Sequence, residues 1–340
     1  MPEATVPRPE MSALLRGVSR SFYVSIRLLP SQLRQPVSVA YLLARATDTV
    51  ADSAKLPAEE RRDKLDSLVE AIEGRIRASD MAASLAALGS LQTDPEERNL
   101  ILALPQCLGW LEQLAPADRE DVRAVLRHIT YGQAIDIERF PQGAPIMALQ
   151  TSSQLDEYTY LVAGCVGEFW TELCFRHLPR FARLPKHEMR DLGRAYGMGL
   201  QLVNILRDAG TDLAAGRCYF PADELATVGL RAQDLVAEPE RFTRVWNRWQ
   251  AQAQRGLESG MRYADAVTSR RVRAASAMPA LIGARTLALL RSAGPQRLQR
   301  RVKVPRHEVR SILARLAFTL AARAPLQALF GRLQGATGDS

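Results

Sequence analysis

Apolar residues recur at steps of three and four along nearly the whole chain, the spacing that gathers side chains on one face of an α-helix. The pattern predicts helical segments at roughly residues 11–28, 36–53, 58–78, 95–114, 117–138, 154–178, 187–215, 239–267, 278–292 and 305–331. Pro36, Pro57, Pro95, Pro116, Pro279 and Pro305 fall at or near the expected starts, where a missing backbone N–H is tolerated. Gly216, after a Leu-Ala-Ala run, reads as a C-terminal cap. No alternating strand run, internal repeat or long linker interrupts the series. The expectation is one all-α domain over residues 11–294, a disordered lead at 1–10 and a basic helical appendage at 295–340.

Two segments carry polar residues where a core seam belongs. Residues 42–52 read LLARATDTVAD, and Tyr41, Arg45, Asp48 and Asp52 lie at steps of four, three and four. Residues 201–212 read QLVNILRDAGTD, with Gln201, Asn204, Asp208 and Asp212 at steps of three, four and four. Each helix thus offers two aspartates one turn apart. At about 6 Å and an effective dielectric of about 20, such carboxylates repel by roughly 3 kcal/mol. They protonate, splay or recruit cations. If both stripes face one cavity, four carboxylates meet there.

Carboxylates with water and an Asn amide suit Mg²⁺, which keeps waters and shares its shell with phosphate. Arg45 and Arg207, beside the stripes, can take phosphate oxygens bidentately. The plainer reading is two solvated helix faces. Two acidic pairs, each in an apolar helix and each with an arginine, favour a site. No Walker loop or GxGxxG motif opens a helix, so a nucleotide fold lacks its signature. The flanking YGMGL run supplies small residues that let another element approach.

Composition adds less. The 340 residues are 47% hydrophobic and 24% charged, with a net charge of +8 that suggests an anionic partner. Basic residues are scattered and thicken after Arg270 without aromatic interleaving, so nucleic acid is not expected. Cys107, Cys165, Cys174 and Cys218 form no CxxC pair, which fits reduced thiols and a cytoplasmic location. His128, His177, His187 and His307 show no metal-ligand spacing. The N-terminal MPEATVPRPE is no signal peptide, and no apolar run is long enough to span a bilayer. Residues 310–333, RSILARLAFTLAARAPLQALFGRL, read either as helices packed on the core or as a basic surface in peripheral contact with a membrane.

Four blocks in this order resemble the squalene/phytoene synthases, head-to-head prenyl transferases. They are SRSFYVSIRLLP at 19–30, AYLLARATDTVAD at 40–52, YTYLVAGCVGEFW at 158–170 and GMGLQLVNILRDAGTDLAAGRCYFP at 197–221. The resemblance implies an isoprenoid synthase fold, helices around a central cavity. Asp48 and Asp52 would stand on one wall and Asp208 and Asp212 on the other, holding Mg²⁺ on two prenyl diphosphates with help from Asn204. Ser19, Arg20, Ser21, Phe22, Tyr41, Arg45, Gln201, Asn204, Arg207 and Arg217 match positions that bind substrate or line the site. Tyr158 matches a tyrosine of the first half-reaction, with Ala163, Gly164 and Gly167 allowing close packing around it. Phe22, Leu43, Val162, Leu202 and Ile205 would sheath a carbocation.

The segments look most like bacterial squalene synthases, which join two farnesyl diphosphates and reduce with NADPH. Dehydrosqualene, phytoene and presqualene diphosphate synthases are the alternatives, and a non-catalytic assembly factor of the same fold is a remote one. Ala51 stands where eukaryotic members carry an acidic residue. NADPH rests on the resemblance alone, and a monomer is expected.

Overall fold

A computed structural model describes residues 9–19, 23, 26–27, 29–53, 55–141, 143, 145–300, 302–319 and 323–335. The described residues are mostly helical, as the periodicity predicts, with one short strand pair added; Pro9 and Glu10, expected in a disordered lead, open the first helix. The chain divides into two compact units, one of residues 1–141 and 172–179, the other of 142–171 and 180–340.

The first unit carries α1 (Pro9–Val18), α2 (Ser31–Ala51), α3 (Ala58–Ile72), α4 (Ala82–Leu91), α5 (Pro95–Leu102), α6 (Leu104–Glu112) and α7 (Pro116–Arg139). Helix α2 is its centre and packs against α3, α6 and α7. Leu33, Leu42, Leu43, Ala46 and Val50 of α2 are wholly buried, as are Leu111 and Val122 opposite.

Four local readings fail for physical reasons. Pro36 lies inside α2 rather than at its start, because Pro30 supplies the extended cap and burial of the helix offsets one missing hydrogen bond. Pro279 likewise lies inside a helix, Arg270–Ala293. The segment expected at 95–114 breaks at Ala103, where Pro105 opens the next helix. Helix α4 escaped the periodicity because its Leu and Ala residues surround the helix instead of forming a stripe.

The second unit begins with β1 (Met147–Ala148) and α8 (Ser152–Thr159), which continues through a π-turn at Tyr160–Gly164 into α9 (Cys165–His177), whose residues from 172 onward belong to the first unit. The long α10 (Lys186–Ala214) follows, then β2 (Arg217–Cys218), α11 (Ala222–Thr227), α12 (Pro239–Ala266), α13 (Arg270–Ala293), α14 (Arg306–Thr319) and α15 (Arg323–Gly335). Gly216, at φ 83°, ends α10 as the sequence suggested. The two strands pair in parallel, Met147 with Arg217 and Ala148 with Cys218, which pins the chain just beyond the end of α10.

Helix α10 is seated by backbone-to-backbone contact. A Cβ on Gly167 would stand 1.9 Å from the Gly193 carbonyl oxygen, and one on Gly199 would stand 2.5 Å from the Gly256 Cα. The small residues read from the sequence are therefore where α9 and α12 close on α10.

Helices α14 and α15 pack on α13, with Ile312, Leu316, Leu326, Leu329 and Phe330 buried. That is the packed-helix reading of the 310–333 segment. Among the described residues no helix is long and apolar enough to cross a membrane. All four cysteines are buried and free, and burial pushes the Cys107 and Cys165 thiols up to about 12.

Gly167→Ala should destabilise the protein by about 1–3 kcal/mol in denaturant titration, since neither backbone can yield easily. Gly109→Ala in α6, with nothing within 4 Å of the added methyl, should instead raise stability by about 0.5–1 kcal/mol. Equal effects of the two substitutions would show that the Gly167–Gly193 contact is not tight.

Candidate active site

Both acidic stripes sit at the C-terminal ends of their helices. Asp48 lies in the last turn of α2, and Asp52 is the capping residue, its N–H bonded to the Asp48 carbonyl at 2.9 Å. Asp212 lies in the last turn of α10, with Asp208 one turn earlier. Neither helix has a basic residue in its last turn. A helix C-terminus carries partial negative charge, so carboxylates there meet unfavourable potential from the backbone and from each other. A cation relieves both.

In the first unit Arg45 bridges two carboxylates, Asp48 Oδ2 at 2.6 Å and Glu97 Oε1 at 2.5 Å. Arg45 Nε is buried and has no hydrogen-bond partner among the described residues. Burial, and then repulsion from Asp52, pushes the Asp48 carboxyl up to about 6 despite the Arg45 ion pair. Tyr41 is hydrogen-bonded with the Ser19 side chain, and burial raises its phenol above the usual range. A buried arginine, Arg61, donates to the Ala51 carbonyl at 2.8 Å and so holds the chain between Asp48 and Asp52. Arg20, Ser21 and Phe22 lie outside the described residues.

In the second unit a polar chain runs along one face of α10. Asn204 donates to Gln201 Oε1 at 3.3 Å, and Arg207 donates to Asn204 Oδ1 at 3.0 Å. Arg207 also grips Asp208 with two nitrogens, one at 3.0 Å. Arg217, on β2, donates to Asp212 Oδ1 at 3.0 Å. Tyr158 stacks on Tyr219 with ring centroids 4.9 Å apart, and their hydroxyls are 3.5 Å apart. Leu202 and Ile205 are buried beside this stripe.

The donor set fits Mg²⁺. Each unit presents two aspartates, and among the described residues no group of three or more His, Cys, Asp or Glu side chains is placed to hold a metal by itself. Mg²⁺ is usually bound in just this way, through one or two carboxylates together with waters and substrate phosphates.

A model of the squalene/phytoene synthase family matches residues 15–308. The chain belongs to that family. It is 29% identical over 232 residues to a bifunctional lycopene cyclase/phytoene synthase of Leptosphaeria maculans, covering 68% of this chain and 37% of that protein. To a squalene synthase of Saccharomyces cerevisiae it is 29% identical over 227 residues, covering 67% of this chain and 48% of the other. The chain thus spans less than half the length of either relative.

Among solved structures, the complex of TcSQS with the ligand BPH1237 matches with a TM-score of 0.76 at 20% identity, covering 97% of this chain and 93% of that one. Squalene synthase HpnC from Alicyclobacillus acidocaldarius matches with a TM-score of 0.60 at 21% identity, covering 84% and 93%. These likenesses establish the all-helical isoprenoid synthase fold expected from the sequence.

Glu97, Arg61 and Tyr219 were missed by sequence reasoning. Tyr219 stands within the quoted GRCYFP run and was visible; Glu97 and Arg61 reach the stripe from other helices and carry no local signal.

The raised Asp48 pKa fixes a sign. Between about pH 4 and 6 the folded protein holds a proton on Asp48 that the unfolded chain releases, so stability falls as pH rises through that window. The melting-temperature advantage of Asp48→Asn over the parent, both free of divalent cations, should grow from pH 4 to 6 and stay constant above. An advantage independent of pH would mean that folding leaves the Asp48 carboxyl at its ordinary pKa.

Proposed function

We propose that the protein is a squalene synthase that condenses two farnesyl diphosphates through presqualene diphosphate, with Mg²⁺ bound by Asp48, Asp52, Asp208 and Asp212 and assisted by Asn204. The observation that supports it most is the pair of acidic helix ends, each already clasped by arginines, within the blocks of a prenyl transferase family. Mg²⁺ on the diphosphate would supply the charge neutralisation that lets it leave.

The remaining work falls to the chain. Arg45, Arg207 and Arg217 exchange their carboxylate partners for diphosphate oxygens, so each arginine is oriented before substrate arrives. Tyr41 and Ser19 line the first stripe, and Gln201 extends the second. Leaving-group departure creates an allylic cation at C1 of the first substrate. The double bond of the second substrate attacks it, and loss of one proton closes the cyclopropane of presqualene diphosphate. Tyr158, whose ring stacks on Tyr219, or the departing diphosphate takes that proton. Leu43, Leu202 and Ile205, all buried, keep water from the cation.

Reduction with NADPH completes the proposed reaction by family resemblance. The sequence carries no dinucleotide-binding motif. A phytoene or dehydrosqualene synthase is the second reading, favoured by the phytoene synthase relative.

Purified protein incubated with farnesyl diphosphate and Mg²⁺, with the extract identified by mass spectrometry, tests the proposal. Squalene with NADPH and presqualene diphosphate without it are expected. Asp48→Asn and Asp208→Asn should each lower turnover by at least about 100-fold, or ~2.7 kcal/mol, with helical circular dichroism unchanged. Dehydrosqualene irrespective of NADPH, or phytoene from geranylgeranyl diphosphate alone, would replace the squalene assignment with the second reading. Full activity in either variant would remove the metal-site assignment.

A further inference from the structure

Asp208 and Asp212 are separated by Ala-Gly-Thr, and Gly210 points away from both. At 100° per residue, position 210 lies about 200° from each aspartate, on the back of α10. There the helix meets the turn at Gly294–Leu298. A Cβ on Gly210 would stand 2.1 Å from the Leu298 carbonyl oxygen. Backbone therefore lies on backbone behind the acidic pair.

The turn itself is anchored by one side chain. Arg297 is 6% exposed, donates to the Gly294 carbonyl at 2.8 Å and to Thr243 Oγ1 at 3.1 Å, and sets its guanidinium carbon 4.4 Å from the Trp246 ring centroid. Its Nε is buried with no partner among the described residues, so the guanidinium is held there in spite of incomplete hydrogen bonding. Trp246 in turn packs on Phe220, three residues beyond the Arg217 that clasps Asp212.

We propose that the Gly294–Leu298 turn is a strut that fixes where Asp208 and Asp212 stand, with Arg297 as its positioning residue. The strut braces α10 from behind at Gly210 and reaches the Arg217 strand through Trp246 and Phe220. What reads in the sequence as the start of a basic appendage is then part of the site's framework. The assignment rests on the proposed metal–diphosphate role of the acidic pair.

The test is Mn²⁺ binding by the full chain in the presence of inorganic diphosphate, followed by electron paramagnetic resonance, alongside melting temperatures. Arg297→Ala and Gly210→Ala should each weaken Mn²⁺ binding about tenfold, as loss of outer-shell support does, while the fold stays helical and melts cooperatively. Arg297→Lys should recover part of the loss by keeping a cation over Trp246.

Lower melting temperatures with unchanged Mn²⁺ affinity would reduce Arg297 to a structural anchor and overturn the proposal. Should Arg297→Ala fail to fold, Gly210→Ala decides, since it adds a single methyl behind the carboxylates. Parent protein that binds Mn²⁺ no better than Asp208→Asn would overturn the functional reading instead, before any strut variant is compared.

Discussion

Two carboxylates stacked a turn apart at the C-terminal end of a helix repel each other and the helix dipole together. Both acidic helices of this chain end that way, and neither has a basic residue in its last turn to compensate. Burial sharpens the conflict at Asp48, whose carboxyl is pushed up to about 6. A fold keeps such an arrangement where something else supplies the positive charge. Here arginines supply part of it, and under the proposed function a hard cation with its phosphate oxygens would supply the remainder.

The arginines belong to different elements, one in the first unit and two in the second. Arg45 and Arg207 come from the acidic helices themselves, whereas Arg217 comes from a strand pinned by its pairing with Met147. Each is already turned toward a carboxylate. Under the proposed function, substrate diphosphate would meet donors whose rotamers are largely set, and the ordering cost of long side chains would be met during folding instead of during binding. The close glycine contacts of α10 with α9 and α12 serve the same end by leaving the helix little freedom to slide.

The stripes and the fold class were legible because their signals are local. Spacing places Asp48 with Asp52 and Asp208 with Asp212 on one face each, and the glycines beside the second stripe announced a close approach that the structure contains. Long-range partners were not legible. Glu97 meets Arg45 from 52 residues away, and Arg61 caps α2 from the following helix. Proline misled where tertiary burial overrode a local preference, at Pro36 and Pro279. Helix α4 gave no stripe because it is apolar on all sides. Arg297 looked like ordinary tail charge until its stacking on Trp246 was visible.

The proposed function stands on the two acidic helix ends, each of them a place for Mg²⁺ with diphosphate. The most direct measurement is the rise in melting temperature produced by Mg²⁺ with inorganic diphosphate in the parent, Asp48→Asn, Asp208→Asn and the double variant. Each single substitution should lower the rise, and the double variant should lose most of it. A rise that survives undiminished in the double variant would place the ions elsewhere and contradict the account.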